Sequence, residues 1–157
     1  MFLNYLKNFF VKNKLKSKWL DLKNESNANT IQTVGLLVDG SNFSETKALV
    51  EQLILIGFSL NNIQICVYKD KIIKDEMNSY PTFGLNVLNW NGRITDVALH
   101  DFIKREFDLF ISYYETEKPL LLLITNNSKS KFKVGFSSVD QRLNHLMINS
   151  LAKNHSV

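Results

Sequence analysis

The feature that most constrains this chain is the succession "TVGLLVDG" (33–40), "NFSETKALVEQLILIG" (42–57) and "NIQICVYK" (62–69). The outer two are short aliphatic runs of strand type, and the first closes on the turn residues Asp39 and Gly40. The middle segment reads as a helix: Asn42 is placed to cap it, Glu45 completes a capping box three residues on, and Gly57 supplies a stop. Strand, helix and strand in close order form a parallel pair with the helix on one face.

The rest of the chain extends that pattern. The stretch 70–81 is charged and irregular, and "GLNVLNW" (84–90) is a third strand candidate. "TDVALHDFIKREF" (95–107) predicts a helix, and "FDLFISYY" (107–114) and "PLLLLIT" (119–125) predict strands, the latter apolar on both faces as interior parallel strands are. "KFKVGF" (131–136) alternates Phe132, Val134 and Phe136 with Lys131, Lys133 and Gly135, the pattern of an edge strand protected by lysines. Ser138, with Gln141 three later, opens a final helix carrying Leu143, Leu146, Met147 and Leu151. The expected fold is α/β, a single mostly parallel sheet flanked by helices, Rossmann-like or flavodoxin-like.

Ahead of this domain (33–157) lie a basic amphipathic helical arm and a polar linker (1–32). Phe2, Leu3, Leu6, Phe9, Phe10, Val11, Leu15, Trp19 and Leu22 recur at helical spacing, and lysines fill the other face. The net charge of +4 belongs to this arm: residues 1–23 hold six lysines against Asp21, whereas the remaining 134 residues hold 13 basic and 14 acidic side chains. Such an arm suits RNA, a protein partner or an anionic membrane surface, and on the plain reading it packs on its own domain with its lysines solvated. The domain is expected to supply its own core, with the arm appended to it.

Several chemistries find no support. A single cysteine, Cys66, excludes a disulfide framework and suits a reducing, cytoplasmic setting. There is no run of about 18 apolar residues to span a membrane, and lysines interrupt any secretory pattern at 7–18. His100, His145 and His155 lack metal-ligand spacing, and "GSNFSETK" lacks the glycine-lysine ending of a phosphate loop. No cofactor and no metal are expected.

Two stretches carry resemblances. "LLVDGSNF" (36–43) resembles the opening motif of NYN/PIN-type nucleases, and "TDVALHDFIKREFDLFIS" (95–112) resembles their middle region. That likeness implies metal roles for Asp39, Asp96 and Asp101, because hard cations take clustered oxygen ligands. The family's later Gly-Asp-x-Asp-Phe is replaced by "YYETEKP", with only Glu115 and Glu117. On the plain reading, Asp39 and Gly40 make a turn. "ISYY", "SKSKFKVGFS" and "RLNHLMI", within residues 107–148, resemble a family of small Bacteroidetes proteins, a domain of unknown function, which implies a cytoplasmic α/β fold. The same region is faintly similar to the acceptor half of family-nine glycosyltransferases.

The resulting expectation is a non-enzymatic binding protein that engages RNA, ribosomal RNA included, or a protein through residues 1–23. The polyanion contacts fall to Lys7, Lys12, Lys14, Lys16 and Lys18, with a weaker contribution from Lys129, Lys131 and Lys133 beside a helix N-terminus. The alternatives are a metal-dependent ribonuclease and a protein held at a membrane surface.

Overall fold

The computed structural model describes residues 31–149, so the arm and most of the linker lie outside the described residues. Six strands form one sheet: β1 (Val34–Asp39), β2 (Ile63–Tyr68), β3 (Thr82–Phe83), β4 (Leu109–Tyr113), β5 (Phe132–Phe136) and β6 (Leu146–Ile148). They lie in the order β3-β2-β1-β4-β5-β6, and every pairing is parallel. That is the doubly wound, Rossmann-like order rather than the flavodoxin-like one. Among the described residues three helices accompany it: α1 (Thr46–Leu55), α2 (Val97–Lys104) and α3 (Pro119–Asn127).

Side-chain alternation sorts the core into two layers. On the first face Val34, Leu36, Val38, Ile63, Ile65, Val67, Ile111, Val134 and Ile148 belong to one cluster with Leu49, Val50 and Leu53 of α1. On the second, Leu37, Cys66 and Phe110 meet Leu99, Phe102 and Ile103 of α2 and Leu120, Leu121 and Ile124 of α3. Gly35 is where Phe107 lies against the sheet: a Cβ there would come within 2.6 Å of its ring.

The opening strand–helix–strand unit forms as its sequence indicates, but α1 begins later, at Thr46. Asn42 does not cap it, because its side-chain amide donates to Asp39 instead (2.9 Å). Glu45 takes the cap position without a side-chain bond. Gly57 does end the helix, at φ +114, a conformation costly for other residues.

Four segments differ from expectation. "PLLLLIT" is the start of α3, with Pro119 at its first turn, where a missing N–H costs nothing. A uniformly apolar run has no period to separate strand from helix. The third strand is only Thr82–Phe83, and the expected 84–90 strand is instead a 3-10 turn at Leu85–Val87 followed by irregular chain. No helix opens at Ser138: a 3-10 turn at Gln141–Leu143 leads into β6, with Leu151 beyond the described residues. Finally, β5 lies between β4 and β6, so its lysines do not guard an edge.

Candidate functional site

In a doubly wound sheet, ligands gather at the carboxyl ends of the strands where the order reverses, here between β1 and β4. Asp39 is the last residue of β1 and is 2% exposed. The chain turns sharply beyond it, with the N–H groups of Asn42 and Phe43 donating to its carbonyl. Gly40 must be glycine, because a Cβ would lie 2.6 Å from Val67 Cγ1 and 3.2 Å from the Tyr68 carbonyl.

The carboxylate of Asp39 is fully engaged. It accepts from the Ser41 N–H (3.1 Å) and the Asn42 side chain (2.9 Å), and pairs with Lys118 Nζ at 2.8 Å. Lys118 stands immediately before Pro119, at the mouth of α3, and reaches back to Asp70 at 2.8 Å as well. Tyr68 donates its hydroxyl to Asp70 (3.0 Å), and its ring lies 5.1 Å from the Lys118 ammonium. The Asp70 N–H donates to Ser41 Oγ (2.7 Å), which ties both loops together.

The electrostatics follow from these contacts. Burial alone would lower the Lys118 pKa, but its bonds to Asp39 and Asp70 hold it above the ordinary lysine value. The Lys118 contact holds Asp70 below the usual carboxylate range. Burial and the bond to Asp70 raise the Tyr68 phenol. The cluster is a closed network in which a cation already sits between two carboxylates.

Among the described residues the other two acidic candidates share no hydrogen bond or ion pair with it. Asp96 caps α2, accepting from the Leu99 N–H at 2.9 Å, and Asp101 lies exposed on that helix. Glu117 accepts from the Asp140 N–H at 2.9 Å. Among the described residues no three His, Cys, Asp or Glu side chains converge to hold a metal ion. His100 bonds the Ile94 carbonyl, and His145 accepts from the Lys133 N–H while stacking on Phe132.

Of the later lysines, Lys131 pairs with Asp108 (2.8 Å), and Lys133 donates to the Thr125 carbonyl (2.7 Å) at the end of α3. Lys129 is exposed. The five lysines at 7–18 lie outside the described residues.

Sequence reasoning missed two arrangements. Asp108 clamps the start of β1: it accepts from the N–H groups of Gln32 and Thr33 (both 3.0 Å) and from the Thr33 hydroxyl (3.1 Å), besides Lys131. Burial would raise its pKa, but these donors prevail and hold it well below the carboxylate range. Under α3, the hydroxyls of Ser112, Tyr114 and Thr125 form a buried cluster, with Tyr114 and Thr125 at 2.8 Å. Burial pushes the Tyr114 phenol up to about 12. Neither set has a sequence spacing that announces it, since their members lie on separate elements.

The fold and this site define a doubly wound, all-parallel α/β protein whose switch-point aspartate is neutralised from within. The chain belongs to the Family of unknown function (DUF6913), whose sequence profile matches residues 7–157. No curated protein and no solved structure matches the chain. No helix among the described residues is long and apolar enough to cross a membrane.

Proposed function

We propose that this chain is a non-enzymatic, cytoplasmic binding protein: an α/β platform whose basic segment 1–23 holds single-stranded RNA, ribosomal RNA being the first candidate. The observation that carries the non-enzymatic reading is the Lys118 ammonium, 2.8 Å from both Asp39 and Asp70. At the position where such a sheet would deploy a free carboxylate, the charge is already satisfied. The RNA reading is supported by charge segregation, six lysines against one aspartate over residues 1–23.

Salt dependence tests it. Neutralising phosphates releases counterions, so log affinity falls linearly with log salt, with a slope of roughly −0.7 per contacted phosphate for single strands. If Lys7, Lys12, Lys14, Lys16 and Lys18 make about three to five such contacts, fourfold more salt weakens binding roughly 10- to 100-fold. Fluorescence anisotropy with a labelled oligoribonucleotide should show this, and replacing the five lysines by Gln should flatten the slope. Tighter, salt-insensitive binding to anionic vesicles would favour membrane attachment. Divalent-dependent RNA cleavage that disappears in Asp39→Asn would replace the reading with the nuclease one.

A further inference from the structure

Between β3 and α2 the chain makes a small hairpin. Its two sides meet at the antiparallel bridge of Leu88 with Ile94. Thr95 donates to the Val87 carbonyl from both its N–H (2.8 Å) and its hydroxyl (2.9 Å). Val87 and Ile94 are buried in the second-face core, which fixes the base of the hairpin to the domain. The tip, 89–93, is held as firmly. The Asn89 N–H donates to the Arg93 carbonyl and the Gly92 N–H to the Asn89 carbonyl, both at 2.9 Å. The Asn89 side-chain oxygen accepts from the N–H groups of Asn91 (3.1 Å) and Arg93 (2.9 Å). Gly92 takes φ +74, which a side chain would strain. On this pedestal Trp90 is 95% exposed.

A turn that keeps an indole in water forgoes the burial such a ring normally provides. What it gains is preorganisation, since a partner meets the ring without first ordering the loop. The surroundings of the ring select that partner. Between Glu76 and Asp96 there is no acidic residue, and Arg93 is the single charge. Arg93 is exposed, and among the described residues its guanidinium has no carboxylate partner. Asn91, also exposed, adds a side-chain amide to the same turn. Hydrocarbon or an apolar protein pocket closing over the tip would desolvate that guanidinium and amide without pairing them. A nucleobase has a use for each: its π face stacks on the indole, its polar edge takes an amide, and the guanidinium meets the phosphate.

We propose that Trp90 is a stacking platform for one base of single-stranded RNA, with Arg93 on the adjoining phosphate. The inference rests on the RNA reading and divides its labour: residues 1–23 hold phosphates, and the hairpin holds a base. Every base has a π face, so the platform itself is tolerant of sequence.

Two polyanions separate the parts: a labelled oligouridylate, and inorganic polyphosphate, which carries charge without bases. In the full chain, Trp90→Ala should weaken oligouridylate binding roughly 5- to 150-fold, the worth of one stacked base. The salt slope should stay as it was, because the phosphate contacts are untouched. Trp90→Phe should retain most of the affinity, and polyphosphate should bind all three proteins alike. An exposed ring also implies an unchanged unfolding midpoint in Trp90→Ala. In a Trp19→Phe chain, where Trp90 is the remaining tryptophan, oligouridylate should quench the emission and polyphosphate should not. Oligouridylate binding that is the same in Trp90→Ala and wild type overturns the platform and leaves the RNA reading to its lysines. So does an equal loss toward both polyanions. If the wild-type chain binds no oligouridylate even at low salt, both readings fall. A blue shift of Trp90 emission on anionic vesicles, with none of these effects on RNA, overturns the proposal in favour of a membrane contact.

Discussion

At the scale of single residues, the buried pair of Asp39 and Lys118 makes the sharpest prediction. Removing one partner of a buried ion pair strands the other charge, which costs about 3–5 kcal/mol. Lys118→Met should approach the lower end of that range, because Ser41 and Asn42 still donate to Asp39. Adding Asp39→Asn should recover most of the loss, as read from urea midpoints of the two variants. Lys118 also sets the alkaline limit: its folded pKa lies above the unfolded value, so its contribution is full below about pH 10 and is lost as pH rises through the folded value. Asp108 acts at the other end. Its folded pKa is depressed, so its contribution is present above about pH 4 and fades as pH falls. Asp108→Asn should flatten stability against pH over that acid range while lowering it at neutrality.

Among the elements, β5 shows how a strand meets its cover. A Cβ on Gly135 would collide with the Asn144 side-chain amide, and Asn144 is itself buried, with neither amide atom bonded among the described residues. Gly135→Ala should therefore cost roughly 1–3 kcal/mol through overpacking, and Asn144→Gly in the same chain should return part of it, a coupling measurable as a double-mutant cycle. The elements also mark what the sequence could and could not convey. β1, α1 and β2 were legible because two short aliphatic runs flank a segment of helical length that stops at Gly57. α3 was not, since Leu120, Leu121, Leu122, Leu123 and Ile124 present no period, and Pro119 suits either a helix start or a loop. β6 was hidden because Leu143, Leu146 and Met147 mimic helical spacing, whereas the pairing of Leu146 with Val134 sets the strand.

For the molecule as a whole, the α/β class followed from alternation, but the strand order did not. Lysine alternation in "KFKVGF" suggested an edge; Lys131 and Lys133 instead meet Asp108 and the end of α3, contacts that exist only once β4 and β5 are neighbours. Asp39 was legible as the residue at the switch point, because a terminal acid on a first parallel strand has a fixed place in such sheets. Its partner was not, since Lys118 lies 79 positions away on a loop without a motif. Pairings between distant segments are decided in three dimensions, and no local pattern carries them.

The central position of β1 has a consequence in time. This strand is made first among the six, yet its second neighbour, β4, is some 75 residues downstream, the separation of Thr33 from Asp108. At about 5–20 residues per second, a ribosome takes roughly 4–15 seconds to cover that distance. Over that interval an aliphatic strand with an open side waits beside a growing chain, and such non-local parallel pairing is slow in its own right. Refolding of the released protein should accordingly be limited by arrival of β4 at β1. Removing the Asp108 grip on Thr33 should slow that closure, which stopped-flow refolding of Asp108→Asn would detect as a reduced folding rate.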